Sequence, residues 1–217
     1  MSKKVFLSAG HGGTDPGASA NGLIEKNINL NILLACRNEL VKHGITVVTS
    51  RMKDEDDPVG QEVKEANASG ADIAVSFHTN AGGGDGSETY YYPSSQESKK
   101  LAMLCEKQTL LIGQNSRGIK DGKNLCFVNS TKMTAVLCEC AFLDSKDRDI
   151  IISLEKQQAF GIAYAKAILA YFGIEQNIKT VAKRYTLHVG DYSTEGDAKA
   201  MQKKLSCAGF QSVIVAK

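Results

Sequence analysis

Three short runs of this 217-residue chain are apolar at nearly every position rather than at every second one: KVFLSA (4–9), ADIAVSF (71–77) and TAVLCECAF (134–142). A strand with one face in water alternates apolar and polar residues; a strand covered on both faces does not. Between these runs the apolar period changes to that of a helix. Residues 24–43 place Ile28, Ile32, Cys36 and Leu40 on one stripe with Leu33 beside it, and Gly44 is a natural stop. Residues 58–69, with Pro58 in the first turn, 95–113 and 146–172 also read as helices, the last ending at Gly173. ITVVTS (45–50), SETYYYP (87–93) and LCFV (125–128) read as further strands. Strands alternating with helices predict an α/β fold of three αβα layers around a mostly parallel central sheet.

The pattern breaks at 175–183, a polar, Lys-containing linker. Beyond it YTLHVGDY, STEGDAKAMQKKLSCAG and FQSVIVA read as a small C-terminal β-α-β segment over 184–217. The first part, residues 1–174, is long enough to bury its own core. Net charge is +2, which gives no ground for a nucleic-acid partner. The charge is uneven, however. Residues 178–217 hold seven Lys/Arg against three Asp/Glu, leaving the rest near −2. No stretch approaches the ~18 apolar residues of a membrane-spanning helix, so membrane insertion is not expected. The start, MSKKVFLSAGHGG, lacks the apolar core of a secretory signal. The sequence therefore predicts a protein made in the cytoplasm that leaves by some route other than its own signal peptide.

One residue does not suit its strand. Glu139 sits inside VLCECAF, where an unpaired carboxylate is costly to desolvate. Its neighbours Cys138 and Cys140 point to the opposite face. The six cysteines contain no CxxC pair and read as reduced core thiols rather than a zinc site. Two of the four histidines directly follow apolar strands, His11 after KVFLSA and His78 after ADIAVSF. Ligands of open parallel sheets bind outside the carboxyl ends of the strands. His11, His78 and Glu139 converge on that rim, and Glu25, at the start of the first long helix, lies on it too. Two imidazoles and a carboxylate make a catalytic zinc set with one position left for water. The second carboxylate can then act as general base. Each residue also has a plainer reading. Glu25 suits a helix first turn, His11 a turn, and His78 a strand end. The GHGG loop could cradle a phosphate, although it lacks the phosphate-loop and dinucleotide spacings. His43, before Gly44, reads as a helix C-terminal residue, and His188 is no ligand candidate.

Taken in order, LSAGHGGTDPGA, the Glu of LIEKN, VVTSR, the AN of KEANASGAD, SFHTNA, RGIK and AVLCECAFL resemble the zinc-dependent N-acetylmuramoyl-L-alanine amidases of the amidase-3 family. The resemblance covers residues 4–172. It implies that His11, Glu25 and His78 bind Zn2+ and that Glu139 is the catalytic residue. The substrate it implies is peptidoglycan, cut at the amide between N-acetylmuramic acid and L-alanine of the stem peptide. Zinc would polarise the carbonyl and supply hydroxide, while Glu139 moves the proton to the leaving amine. Asn80, two residues past His78, is a candidate for substrate binding and equally a turn former. Arg51 matches a family arginine and reads as structural. Two positions depart from the family pattern: Cys140, where Gly or Ala is usual, and KDEDDPVG at 53–60, which could alter the groove rim.

The tail resembles one strand-helix-strand half of the sporulation-related repeat (SPOR), which binds wall glycan. A half module leaves a strand edge unpaired, and this predicts a homodimer formed through residues 180–217. The combination is that of a phage endolysin, or of an autolysin freed by mother-cell lysis, acting on the bacterial wall after release; the endolysin is the preferred reading. Two rivals stay open: a non-catalytic cell-wall-binding protein, and a zinc peptidase that cuts within the stem peptide.

Overall fold

The computed structural model describes residues 3–174 and 190–207, together with Ile214. The chain forms two compact units, 1–176 and 177–217. The first unit contains β1 (Lys4–Ala9), β2 (Ser19–Ala20), β3 (Leu23–Ile24), α1 (Glu25–Lys42), β4 (Thr46–Thr49), α2 (Val59–Ser69), β5 (Ile73–Asn80) and β6 (Ser87–Tyr91). It continues with α3 (Gln96–Leu110), β7 (Ser116–Asp121), α4 (Cys126–Ser130), β8 (Thr134–Phe142), α5 (Arg148–Ile151) and α6 (Leu154–Tyr171).

Six strands form one sheet in the order β4-β1-β5-β8-β6-β7. The first four run parallel. β6 is antiparallel to β8, and β7 runs with β6. The α/β architecture with a mostly parallel sheet is therefore as the sequence predicts, with a reversed pair of strands at one edge. That reversal matters for the site. The N-terminal ends of β6 and β7 lie at the same rim as the C-terminal ends of β1, β5 and β8.

Strand alternation divides the side chains between two faces. Val5, Leu7, Val75, Phe77, Val136 and Cys138 point into the larger core, beneath α1, α3 and α6. Phe6, Ala74 and Ala135 point the other way, where Ala66 and Phe127 cover them. Both faces of β1, β5 and β8 are thus dry, which accounts for their unbroken apolar runs. Cys36, Cys105, Cys138 and Cys140 are buried free thiols on the larger side; Cys126 is exposed.

Several expectations need correction. LCFV is not a strand: residues from Cys126 form α4, whose Phe127 and Val128 are buried. A short apolar run does not distinguish a strand from one buried helical turn. The sixth strand is SRGIKD, which the apolar pattern passes over because it is a polar edge strand containing a glycine. The stretch 146–172 is two helices, because the Ser153 side chain accepts the Lys156 N–H and caps α6 afresh. Finally, β5 runs on through His78 to Asn80.

In the second unit, α7 (Glu195–Cys207) confirms the tail helix. Thr194 Oγ1 accepts the Asp197 N–H and donates to Asp197 Oδ2, closing its N-terminus. The linker 175–183, His188 and the strand expected at 210–216, apart from Ile214, lie outside the described residues. Positions 190–192 of the strand expected at 185–192 are not in a strand, and the rest of it lies outside the described residues.

Candidate active site

β1 and β5 pair as far as Gly10, whose N–H donates to Phe77 O at 3.0 Å. The chain then turns sharply, with His11 in the left-handed region at φ 65°. Gly10 is required here by contact. The His78 ring packs on its α-carbon, and a Cβ at that point would fall 2.0 Å from His78 Cε1. On the far side of the loop a Cβ at Gly17 would likewise fall 2.6 Å from Glu25 Oε2 and His11 Cδ2. The β2–β3 hairpin then delivers Glu25 to the first position of α1. Its first-turn placement, favourable with the helix dipole, and its place in the cluster are one fact rather than alternatives.

Glu25 Oε1 stands 3.0 Å from His78 Nδ1 and 3.4 Å from His11 Nε2. The two imidazoles meet edge to face, with centroids 5.1 Å apart. One ligand atom from each of the three residues lies within 4.8 Å of the others, the only such group among the described residues. Neighbours orient His11 and Glu25. His11 Nδ1 is 2.8 Å from Asp15 Oδ2, which leaves Nε2 facing the cluster. Glu25 Oε2 accepts the Ala18 N–H at 2.7 Å. Its Oε1 accepts from the Thr79 N–H and from Asn29 Nδ2. These are the second contacts that hold metal-ligand rings and carboxylates in place.

Glu139 is the register partner of His78 on the adjacent strand, so both side chains share one face of the sheet. Its Oε2 is shielded from solvent and has no hydrogen-bond partner. A buried, unsatisfied carboxylate oxygen calls for an explanation. Burial pushes the Glu139 carboxyl up to about 7; His78 opposes the shift, and the Glu25 and Glu88 charges add to it. Glu25 moves the other way. Burial resists its ionisation, but hydrogen bonds with His11 and His78 prevail and hold it well below the usual carboxylate range. Glu25 in turn raises His11 to about 9 against the effect of burial, with Asp15 assisting. For His78 burial is again the largest single effect and opposes, but the hydrogen bond with Glu25 and the charges of Glu139, Glu25 and Glu62 together outweigh it and raise its pKa. The site thus holds one firmly ionised carboxylate between two imidazoles and a second carboxylate poised near neutrality. Separation of two carboxyls in this way is the usual mark of an acid–base pair of roles.

Residues 5–170 match the family described as N-acetylmuramoyl-L-alanine amidase, Amidase_3. The chain belongs to this family. The N-acetylmuramoyl-L-alanine amidase CwlM of Bacillus licheniformis is 31% identical over 217 residues, covering 98% of this chain and 84% of CwlM. The endolysin of Bacillus phage SPP1 is 38% identical over 161 residues, 70% of this chain and 59% of the endolysin. The crystal structure of an N-acetylmuramoyl-L-alanine amidase from Clostridium difficile 630 superposes with a TM-score of 0.75 at 31% identity, covering 79% of this chain and 97% of that one.

Within this amidase-family unit the remaining candidates fall outside the cluster. The Asn80 side-chain oxygen accepts the Ala81 N–H and shapes the turn into the glycine-rich loop. His43 ends α1 with Nε2 3.5 Å from Glu39 Oε1. Arg51 is buried and structural: Nε donates to Ala9 O, one terminal nitrogen to Lys26 O and the other to Lys53 O. KDEDDPVG turns out to brace the His11 loop. Asp54 accepts the Gly13 N–H and pairs with Lys26; Asp56 accepts from the Thr14 N–H and hydroxyl. Sequence reasoning missed Asp15, Asn29 and these aspartates. Asn29 carried a usable signal, since it stands one helical turn after Glu25 on the same face.

Proposed function

We propose that this protein is a zinc-dependent N-acetylmuramoyl-L-alanine amidase that cuts peptidoglycan between N-acetylmuramic acid and L-alanine. The observation that carries this reading is the unpartnered Glu139 oxygen beside the His11–Glu25–His78 set. Two imidazole nitrogens and a carboxylate, with His11 and Glu25 oriented by further contacts, fit zinc's catalytic preference for three protein ligands and an open position. His11, Glu25 and His78 would hold the zinc ion, which would supply a Lewis acid for the scissile carbonyl and a more acidic water. Glu139 accepts the proton of the attacking water and passes it to the leaving nitrogen of L-alanine. Asp15, 2.8 Å from Nδ1, holds the His11 ring with Nε2 toward the cluster. The glycines at 10 and 17 let imidazole and carboxylate approach the backbone closely enough to be held.

A peptidase acting within the stem peptide would use the same four residues, so product masses decide. Digestion of purified walls should release peptides with an L-alanine amino terminus and leave the glycan intact; cleavage elsewhere in the stem would overturn the reading. Glu139→Gln should keep its metal and lose about 100- to 10,000-fold in rate. His11→Ala and His78→Ala should lose metal and activity together. Stoichiometric metal loss in Glu139→Gln would make it a ligand and reverse the assignment of roles.

The wall-binding role of residues 184–217 and pairing through 180–217 are proposals from the sequence. So is action on the wall after release from the cytoplasm. Similarity to CwlM spans 98% of the chain and that to the endolysin 70%, so both the endolysin reading and the autolysin reading stay proposals.

A further inference from the structure

Beside Glu139 lies a second charged cluster that the chemistry above does not use. Glu88, at the start of β6, is the antiparallel register partner of Glu139. It is only 5% exposed. Its Oε2 accepts from Arg117 Nε at 2.9 Å, and its Oε1 accepts the Tyr90 hydroxyl at 2.8 Å. Arg117 comes from the start of β7, and its guanidinium also lies over the Phe142 ring, 5.0 Å from the centroid. Among the described residues its terminal nitrogens donate to nothing, and its side chain is 41% exposed.

A half-buried ion pair is a poor way merely to stabilise an edge of a sheet, since desolvating Glu88 offsets much of the attraction. Its clearer effect is positional. Nε is held by Glu88 and the guanidinium carbon rests over Phe142, so the group is anchored on two sides while the side chain keeps 41% of its surface open to solvent. Such a group suits bidentate binding of a carboxylate. Its location is on the catalytic rim, because β6 and β7 begin where β8 ends.

We propose that Arg117 binds the α-carboxylate of the γ-linked D-glutamyl residue that follows L-alanine in the stem peptide. This rests on the amidase reading. The lactyl carboxyl and the L-alanine carboxyl are both consumed in amide bonds, so this is the free carboxylate nearest the scissile nitrogen. Five bonds separate the two, about 6 Å in an extended chain. β6 lies about 5 Å and β7 about 10 Å from β8, and stacking on Phe142 draws the guanidinium back toward β8. The spans match. A substrate whose D-glutamyl α-carboxyl is a carboxamide keeps the shape and loses the charge, so Arg117 makes this enzyme discriminate between the two forms of wall.

The test compares N-acetylmuramoyl-L-alanyl-γ-D-glutamyl-L-lysine with its D-isoglutaminyl counterpart, using the zinc-loaded full-length protein. The wild type should favour the carboxylate by about 10- to 100-fold in kcat/KM, the range of a lost charge-assisted hydrogen bond. In Arg117→Met that ratio should fall to near one, chiefly through a raised KM for the carboxylate substrate. Arg117→Lys, which keeps the charge without the fork, should fall between. The double variant Glu88→Gln/Arg117→Met, which leaves no buried charge unpaired, should match Arg117→Met. A wild-type ratio of one or below, or a ratio that survives in Arg117→Met, overturns the proposal. If neither compound yields a peptide with an L-alanine amino terminus, the amidase reading itself fails and this proposal falls with it.

Discussion

The role proposed for Glu139 requires it ionised, yet it is placed where ionisation is resisted. Its folded pKa of about 7, against 4.5 for the free side chain, sets a definite sign. The folded state holds a proton that the unfolded chain releases, so stability from this group is complete below pH 4.5 and is lost as pH rises through 7. In the metal-free protein the loss should reach about 3 kcal/mol. Glu139→Gln has no proton to release. At pH 8 the metal-free variant should therefore be the more stable protein, and near pH 4.5 the gap should close; urea unfolding at both values checks this. Equal stability at pH 8 would mean that Glu139 is better solvated than its burial implies. The four principal residues were legible in the sequence because strand ends and helix starts fix where side chains must go. Asp15, Asp54 and Asp56 were not. They act through loop geometry, and an aspartate in a Gly/Asp/Pro-rich stretch reads only as a turn former.

Helices α1 and α6 show how little room an element can have. Gly161 of α6 lies against α1 so closely that a Cβ would stand 2.4 Å from Ile32 O and 2.6 Å from Ala35 Cβ. Alanine would improve helix propensity by about 1 kcal/mol, but the backbone oxygen cannot move aside cheaply. Gly161→Ala should therefore destabilise the protein by about 1–3 kcal/mol, read as a lower urea midpoint at unchanged slope. A raised midpoint would show that the helices can separate at little cost. The same crowding explains what the sequence discloses about elements. β1, β5 and β8 are covered on both faces, so composition alone marks them. SRGIKD at an edge keeps polar residues and its strand character comes from pairing, which no local pattern records. LCFV was misread for the converse reason: buried side chains look alike in a strand and in one helical turn.

At the scale of the whole molecule, His11, Glu25, His78 and Glu139 all belong to the first unit, and residues 5–170 account for the family match. A protein ending near Gly173 should cleave soluble muropeptides at the full-length rate. It should bind and lyse whole walls less well, because a tethered enzyme works at a raised local substrate concentration. Pulldown with purified walls and a turbidity assay would show both effects, and light scattering would show whether residues 180–217 pair. Equal wall binding by the two proteins would remove the targeting role of the tail. The central sheet itself partitions ligand chemistry. Soft sulfur donors out-compete imidazole and carboxylate for many divalent ions, and two cysteines adjoin Glu139 in the chain. The pleat sends Cys138 and Cys140 into the α1–α3–α6 side and Glu139 to the other. Burial also raises the pKa of both thiols far above its usual value, so neither becomes a thiolate. Residue alternation along one strand thus keeps the buried thiols a sheet's thickness from the His11–Glu25–His78 group, and the core can be rich in sulfur without competing for a metal ion that group would hold.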